Sequence, residues 1–104
     1  MIEAYRQGDV VIVCVAAIPQ TAAETLDRPV VLAYGEATGH RHQFVRDEVR
    51  YFLDVGTQRR FLSVEGPTAL LTHEEHGAIA LPRGSYEIHI QREYEPDGWR
   101  NVTD

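Results

Sequence analysis

The stretch Val30-Val31-Leu32-Ala33-Tyr34-Gly35-Glu36-Ala37-Thr38-Gly39-His40-Arg41-His42-Gln43-Phe44-Val45 decides how this chain folds. Pro29 introduces an apolar run, Val30–Tyr34, in which valine and tyrosine favour a strand. Gly35 and Gly39 bracket a short loop, and a second strand is expected over His40–Val45. Residues two apart in a strand share a face. His40, His42 and Phe44 therefore project one way, and Arg41 and Gln43 the other. A second pair follows downstream in His73-Glu74-Glu75-His76, so four of the five histidines fall in two tight groups.

Outward from this hairpin, the rest of the chain alternates short β-like runs with turn residues. Further strands are expected at Val49–Leu53, Arg60–Val64, Thr68–Thr72, Ala78–Leu81 and Ser85–Tyr94, separated by Gly56, Gly66-Pro67, Gly77 and Pro82-Arg83-Gly84. In the last strand Tyr86, Ile88 and Ile90 fall on one face and Glu87, His89 and Gln91 on the other. Val10 to Ala16 is nearly all apolar and β-branched, which predicts a strand buried on both faces. Thr21-Ala22-Ala23-Glu24 matches a capping box, giving at most one short helix near residues 21–27, with an irregular loop as the alternative. The tail from Glu95 to Asp104 reads as a turn and a docked end pinned by Trp99. The fold class expected is all-β, a small antiparallel β-barrel or sandwich, in a single domain spanning 1–104.

With 104 residues, a net charge of −6 and all ten basic residues arginine, the chain excludes several chemistries. Without lysine, only the N-terminal amine could form an imine. The acidic balance makes nucleic acid an unlikely partner, since phosphate binding draws on cationic side chains; Arg59-Arg60 is the only basic doublet. No run approaches the roughly 20 apolar residues of a membrane span. The single cysteine, Cys14, forms no internal disulfide and fits a reducing, cytoplasmic setting; its apolar neighbours predict a buried, inert thiol. A chain this short buries a modest share of its surface, so a homodimer is the natural supplement.

Two imidazoles on one strand face can ligate one metal, and His73 and His76 join them if the chain turns at Gly77. The metal ligands expected are His40, His42, His73 and His76. Glu74 and Glu75 are the candidate catalytic carboxylates, with Glu36 beside them. Nitrogen and oxygen donors of this kind suit a divalent transition metal, Zn, Fe, Mn or Ni, without choosing among them. His89 is expected to be a partly buried polar residue, with a place in the same cavity as the alternative. The spacing of His73 and His76 is not that of a zincin, whose histidines stand four apart on a helix. Neither Ser63 nor Ser85 lies in a nucleophile elbow.

At these residues the chain resembles a minimal cupin. Gly35, His40-Arg41-His42, Glu48 and Gly56 follow the order of the first cupin motif, and Gly77 with Pro82-Arg83-Gly84 that of the second. The gaps differ by one or two, and Glu87 stands where the last histidine belongs. The resemblance implies a β-barrel holding a metal on His40, His42, Glu48 and Glu87. The chain also resembles, over most of its length, a group of small bacterial and phage proteins without an assigned activity. They share a Gly-Glu-x-Thr-Gly-His-x-His segment, a His-Glu-Glu-His segment and a Leu-Pro-x-Gly-x-Tyr turn, here Gly35–His42, His73–His76 and Leu81–Tyr86.

Two functional classes follow. One is a cupin-like, metal-binding β protein whose reaction the residues do not define, so whether it is an enzyme is left open. The other is a metal-free accessory or adaptor domain in which the histidines order two loops while a surface including Arg59, Arg60 and Trp99 meets a protein partner. A pH-responsive histidine interface is a third.

Overall fold

A computed structural model describes residues 4–34, 39–44, 46 and 48–91. Its strands are β1 (Ala4–Gln7), β2 (Val10–Val15), β3 (Ala23–Thr25), β4 (Val31–Tyr34), β5 (Arg41–Phe44), β6 (Val49–Asp54), β7 (Arg59–Thr72) and β8 (Ile79–Ile90). All pair antiparallel. The main path runs β1-β2-β8-β7-β5-β4, with β6 and then β3 added on β7. The all-β antiparallel class is as expected; among the described residues the sheet is not closed into a barrel.

β7 and β8 organise it. Gly66-Pro67 and Pro82-Arg83-Gly84 were expected to break the chain into shorter strands. Instead they lie opposite one another, at a register shift between Val64↔Gly84 and Thr68↔Pro82. A bulge leaves local backbone groups outside the ladder, so proline's missing N–H is tolerated there, and two long strands bend together. On one side of the bend β7 pairs with β6, on the other with β5. Tyr86 fastens the bend by donating its hydroxyl to the Pro82 carbonyl at 2.5 Å.

One core joins both portions: Val10 and Ile12 of β2, Leu32 of β4, Phe44 of β5, Leu62 and Leu71 of β7, and Leu81, Tyr86, Ile88 and Ile90 of β8 are all buried. Complete burial of an aliphatic side chain of this size contributes about 1.5–3 kcal/mol. His42, on the same face of β5 as Phe44, is only 2% exposed, at the margin of this core.

Three local expectations are corrected. Thr21 starts no helix: residues 23–25 pair with β6, and the Thr21 hydroxyl donates to Asp54 Oδ2 at 2.7 Å. Ladder pairing along β6 outweighs a capping box worth about 1 kcal/mol, and no α-helix occurs among the described residues. β2 is not buried on both faces, since Val10 and Ile12 are buried while Val11 and Val13 are half-buried. Cys14 is exposed, on a strand whose burial falls away after Ile12. The tail with Trp99, the loop with Glu36, and Arg92–Tyr94 of the expected last strand lie outside the described residues.

Candidate functional site

The two histidine groups meet. His40 and His42 are carried by β5 and its approach, His73 and His76 by the connection from β7 to β8, and β5 pairs with the end of β7 through Gln43↔Thr72 and Phe44↔Leu71. That pairing places the β5 histidines beside the His73–His76 turn. The His73 ring centroid lies 4.3 Å from that of His42, 4.7 Å from His76 and 5.6 Å from His40. His42 and His76 stack with centroids 6.0 Å apart.

A third segment completes the cluster, the two-residue turn Gly8-Asp9 between β1 and β2. Gly8 stands at φ +60°, the sign that primed hairpin turns require at their first central residue. A Cβ at Gly8 would lie 2.7 Å from His76 Nε2 and 3.3 Å from His42 Cε1. The absent side chain is therefore what lets the turn close over the imidazoles.

Gln7, 2% exposed, fixes the chemistry of His42. Its amide nitrogen donates to the carbonyls of Leu71 at 3.0 Å and Gly77 at 2.9 Å. The amide oxygen must then face His42 Nδ1, 2.9 Å away. His42 consequently carries a proton on Nδ1, and its Nε2 is the nitrogen with the lone pair when the ring is neutral. That Nε2 lies 3.8 Å from Asp9 Oδ1. Gln7 also ties strand β1 to the end of β7, which no ladder joins to it among the described residues.

His73 is committed differently. Its Nδ1 accepts the backbone N–H of Glu75 at 3.0 Å and that of His76 at 3.4 Å, so the neutral ring bears its proton on Nε2. Burial, and then the neighbouring His76, hold its pKa below the ordinary histidine value. Glu74 turns outward and accepts the Arg41 backbone N–H at 2.9 Å. That bond is the main reason its carboxyl is held below the usual range, which makes it a weaker base at neutral pH. Glu75 is exposed, with Oε2 3.8 Å from His40 Nδ1. As placed, no group of three or more His, Cys, Asp or Glu side chains among the described residues is disposed to hold a metal ion.

The ligand set implied by the cupin resemblance does not assemble. Glu87 lies on the β8 face opposite Ile88, where Arg59 donates to both its oxygens at 2.8 Å and His89 Nε2 is 3.8 Å away. Glu48 lies by the β7 bulge, against Gly66, and its Oε1 is buried with no hydrogen-bond partner among the described residues. His89 is half-buried on the outer face with Glu87. Sequence reasoning missed Gln7, Gly8 and Asp9. The signal for them was Gly-Asp, a hairpin-turn dipeptide, between two β-like runs.

The Glu87–Arg59 pair supports a pH prediction. The Arg59 hydrogen bonds outweigh burial and lower the Glu87 carboxyl from its ordinary 4.5. The unfolded chain then binds more protons, so the stabilisation is present above about pH 4.5 and is lost as pH falls through the folded value. Urea melts from pH 7 down to about pH 3 are expected to show a steeper acid loss in the wild type than in Glu87→Gln. Solvent screening at Arg59, which is half exposed, keeps the difference small. Parallel pH profiles would sink the assignment.

Fold and site together define a small all-β domain with a four-histidine cluster under a glycine hairpin. Residues 6–91 match the model of a domain of unknown function, DUF8820, and the chain belongs to that family. No curated protein and no solved structure matches the chain. No helix among the described residues is long and apolar enough to cross a membrane.

Proposed function

We propose that the cluster is a divalent transition-metal site, with His42 as its anchor and His40, His73 and His76 as the other nitrogen donors. The observation that carries this is the Gln7–His42 hydrogen bond. An imidazole whose Nδ1–H is held by a fixed oxygen presents Nε2 for ligation, the outer-shell arrangement that metal-binding histidines use. Asp9 supplies a carboxylate on that same Nε2 side. For His73 to ligate through Nε2, its Nδ1 must leave the two N–H groups of the 73–76 turn and take up the proton. Metal loading therefore includes a rearrangement of that turn. The metal would supply Lewis-acid chemistry or an activated water, while the lowered Glu74 carboxyl favours an anchoring role for that residue over a basic one. The cupin resemblance supports only the His40–His42 half of this set.

Elemental analysis of protein purified without a histidine tag tests it. About one Zn, Fe, Mn or Ni per chain is expected, falling to background in His42→Ala and His73→Ala, with His40→Ala giving a partial or complete loss. One specific observation favours a second reading, a metal-free scaffold: His73 Nδ1, Glu74 Oε1 and His42 Nδ1 each already hold another part of the chain. On that reading no metal co-purifies, none of the four ions raises the melting temperature, and His73→Ala lowers stability by loosening the turn.

A further inference from the structure

We infer that a second site, a cleft beside β4, β5 and β6, binds a small planar organic anion: an aromatic or heteroaromatic ring bearing a phosphate or carboxylate. The cleft encloses about 520 Å³ and is lined by Thr25, Asp27, Arg28, Tyr34, Arg41 and Tyr51, among others. Small-molecule sites commonly fall between about 300 and 1,000 Å³. It is distinct from the histidine cluster. Arg41 stands on the face of β5 opposite His42, exposed where His42 is buried.

Charge and shape select the ligand class. Two arginines and one aspartate line the cleft, a positive balance on a chain of net charge −6. Arg28 Nη1 donates to the Asp27 carbonyl at 2.9 Å, which holds that guanidinium to its own loop. The Arg41 guanidinium has no hydrogen bond or ion pair among the described residues, although its backbone is fixed by Glu74. An arginine fork without a partner among the described residues suits a carboxylate or phosphate, which it can grip in two places. Tyr34 is the cross-strand partner of Arg41 and is itself 66% exposed. With Tyr51 it offers aromatic surface on which a planar ring can pack.

The test is titration of the ¹⁵N-labelled full chain, at low salt, with AMP and with benzoate, and separately with adenosine and inorganic phosphate. At least one of AMP and benzoate is expected to saturate with a dissociation constant on the order of 1 mM or below. Which of them does so separates phosphate from carboxylate recognition. Amide shifts should cluster at Thr25, Arg28, Val31 and Arg41. Arg41→Ala and Tyr34→Ala, both at exposed side chains, should weaken binding by about tenfold or more, and Arg41→Lys less, because lysine lacks the fork. Metal content should stay unchanged in all three. The inference is overturned if neither probe saturates by about 10 mM, if the shifts lie elsewhere, if Arg41→Ala binds as the wild type does, or if inorganic phosphate alone binds as well as AMP.

Discussion

Gln7→Leu is expected to cost about 3 kcal/mol of folding stability, although leucine is apolar and similar in size. The amide it removes satisfies three groups at once: the buried Nδ1–H of His42 and the carbonyls of Leu71 and Gly77. A buried polar group left without a partner costs about 1–3 kcal/mol, and the Gly77 carbonyl, nearest solvent, contributes least. At about 4–8 °C per kcal/mol for a domain of this size, the melting temperature should fall by roughly 12–24 °C. A loss under about 1 kcal/mol would mean that the amide is not the tie its geometry describes.

Gln7→Glu separates the roles of the two ends of the amide. A carboxylate keeps the acceptor for His42 but faces two carbonyls with no donor, so its folded-state pKa is raised. The native state then binds more protons than the unfolded chain, and stability falls as pH rises from about 4.3 towards the raised value. Gln7→Glu should therefore lie closest to the wild type in acid and furthest from it at neutral pH. If the metal proposal holds, Gln7→Leu should also weaken metal affinity by about 10–100-fold, the usual effect of losing an outer-shell partner, whereas Gln7→Glu, which keeps the acceptor for His42, should not.

The parts of this site that the sequence made legible are those with local periodicity. His40, His42 and Phe44 share a face because a strand has period two, and the same rule sorted Tyr86, Ile88 and Ile90 inward from Glu87 and His89. What it left illegible depended on contacts between distant segments. Pro82-Arg83-Gly84 looks like a strand end until Gly66-Pro67 is placed across from it, when the two interruptions become one bend. Thr21 to Glu24 carries a helix signal that yields to pairing with β6. Gln7 gave no signal, because a glutamine at the end of an edge strand is ordinarily solvated; only the meeting of β1 with the end of β7 makes it a buried tie. Glu87 matched a motif position, but the neighbour that defines its chemistry is Arg59, across the ladder in β7.

Replacing Gly8 probes the same site from the other side, through backbone sign and missing volume. At φ +60° an L-residue costs about 1–2 kcal/mol, and a β-branched one costs more. The added Cβ also meets His76 Nε2 at 2.7 Å and His42 Cε1 at 3.3 Å. His76 is half-buried and can swing aside, whereas His42, at 2% exposure and tied to Gln7, cannot. The backbone cost should therefore appear as lost stability and the steric cost as a displaced His76 ring. Gly8→Ala is expected to lose about 1–2 kcal/mol and Gly8→Val about 3 kcal/mol. Gly8→Asn separates the two costs, because asparagine tolerates positive φ yet brings the same Cβ. It should keep most of the stability while still moving the His76 imidazole resonances and weakening any metal site. If Gly8→Asn instead leaves those resonances where they are in the wild type, the turn does not pack on His76, and Gly8 is present for its backbone alone.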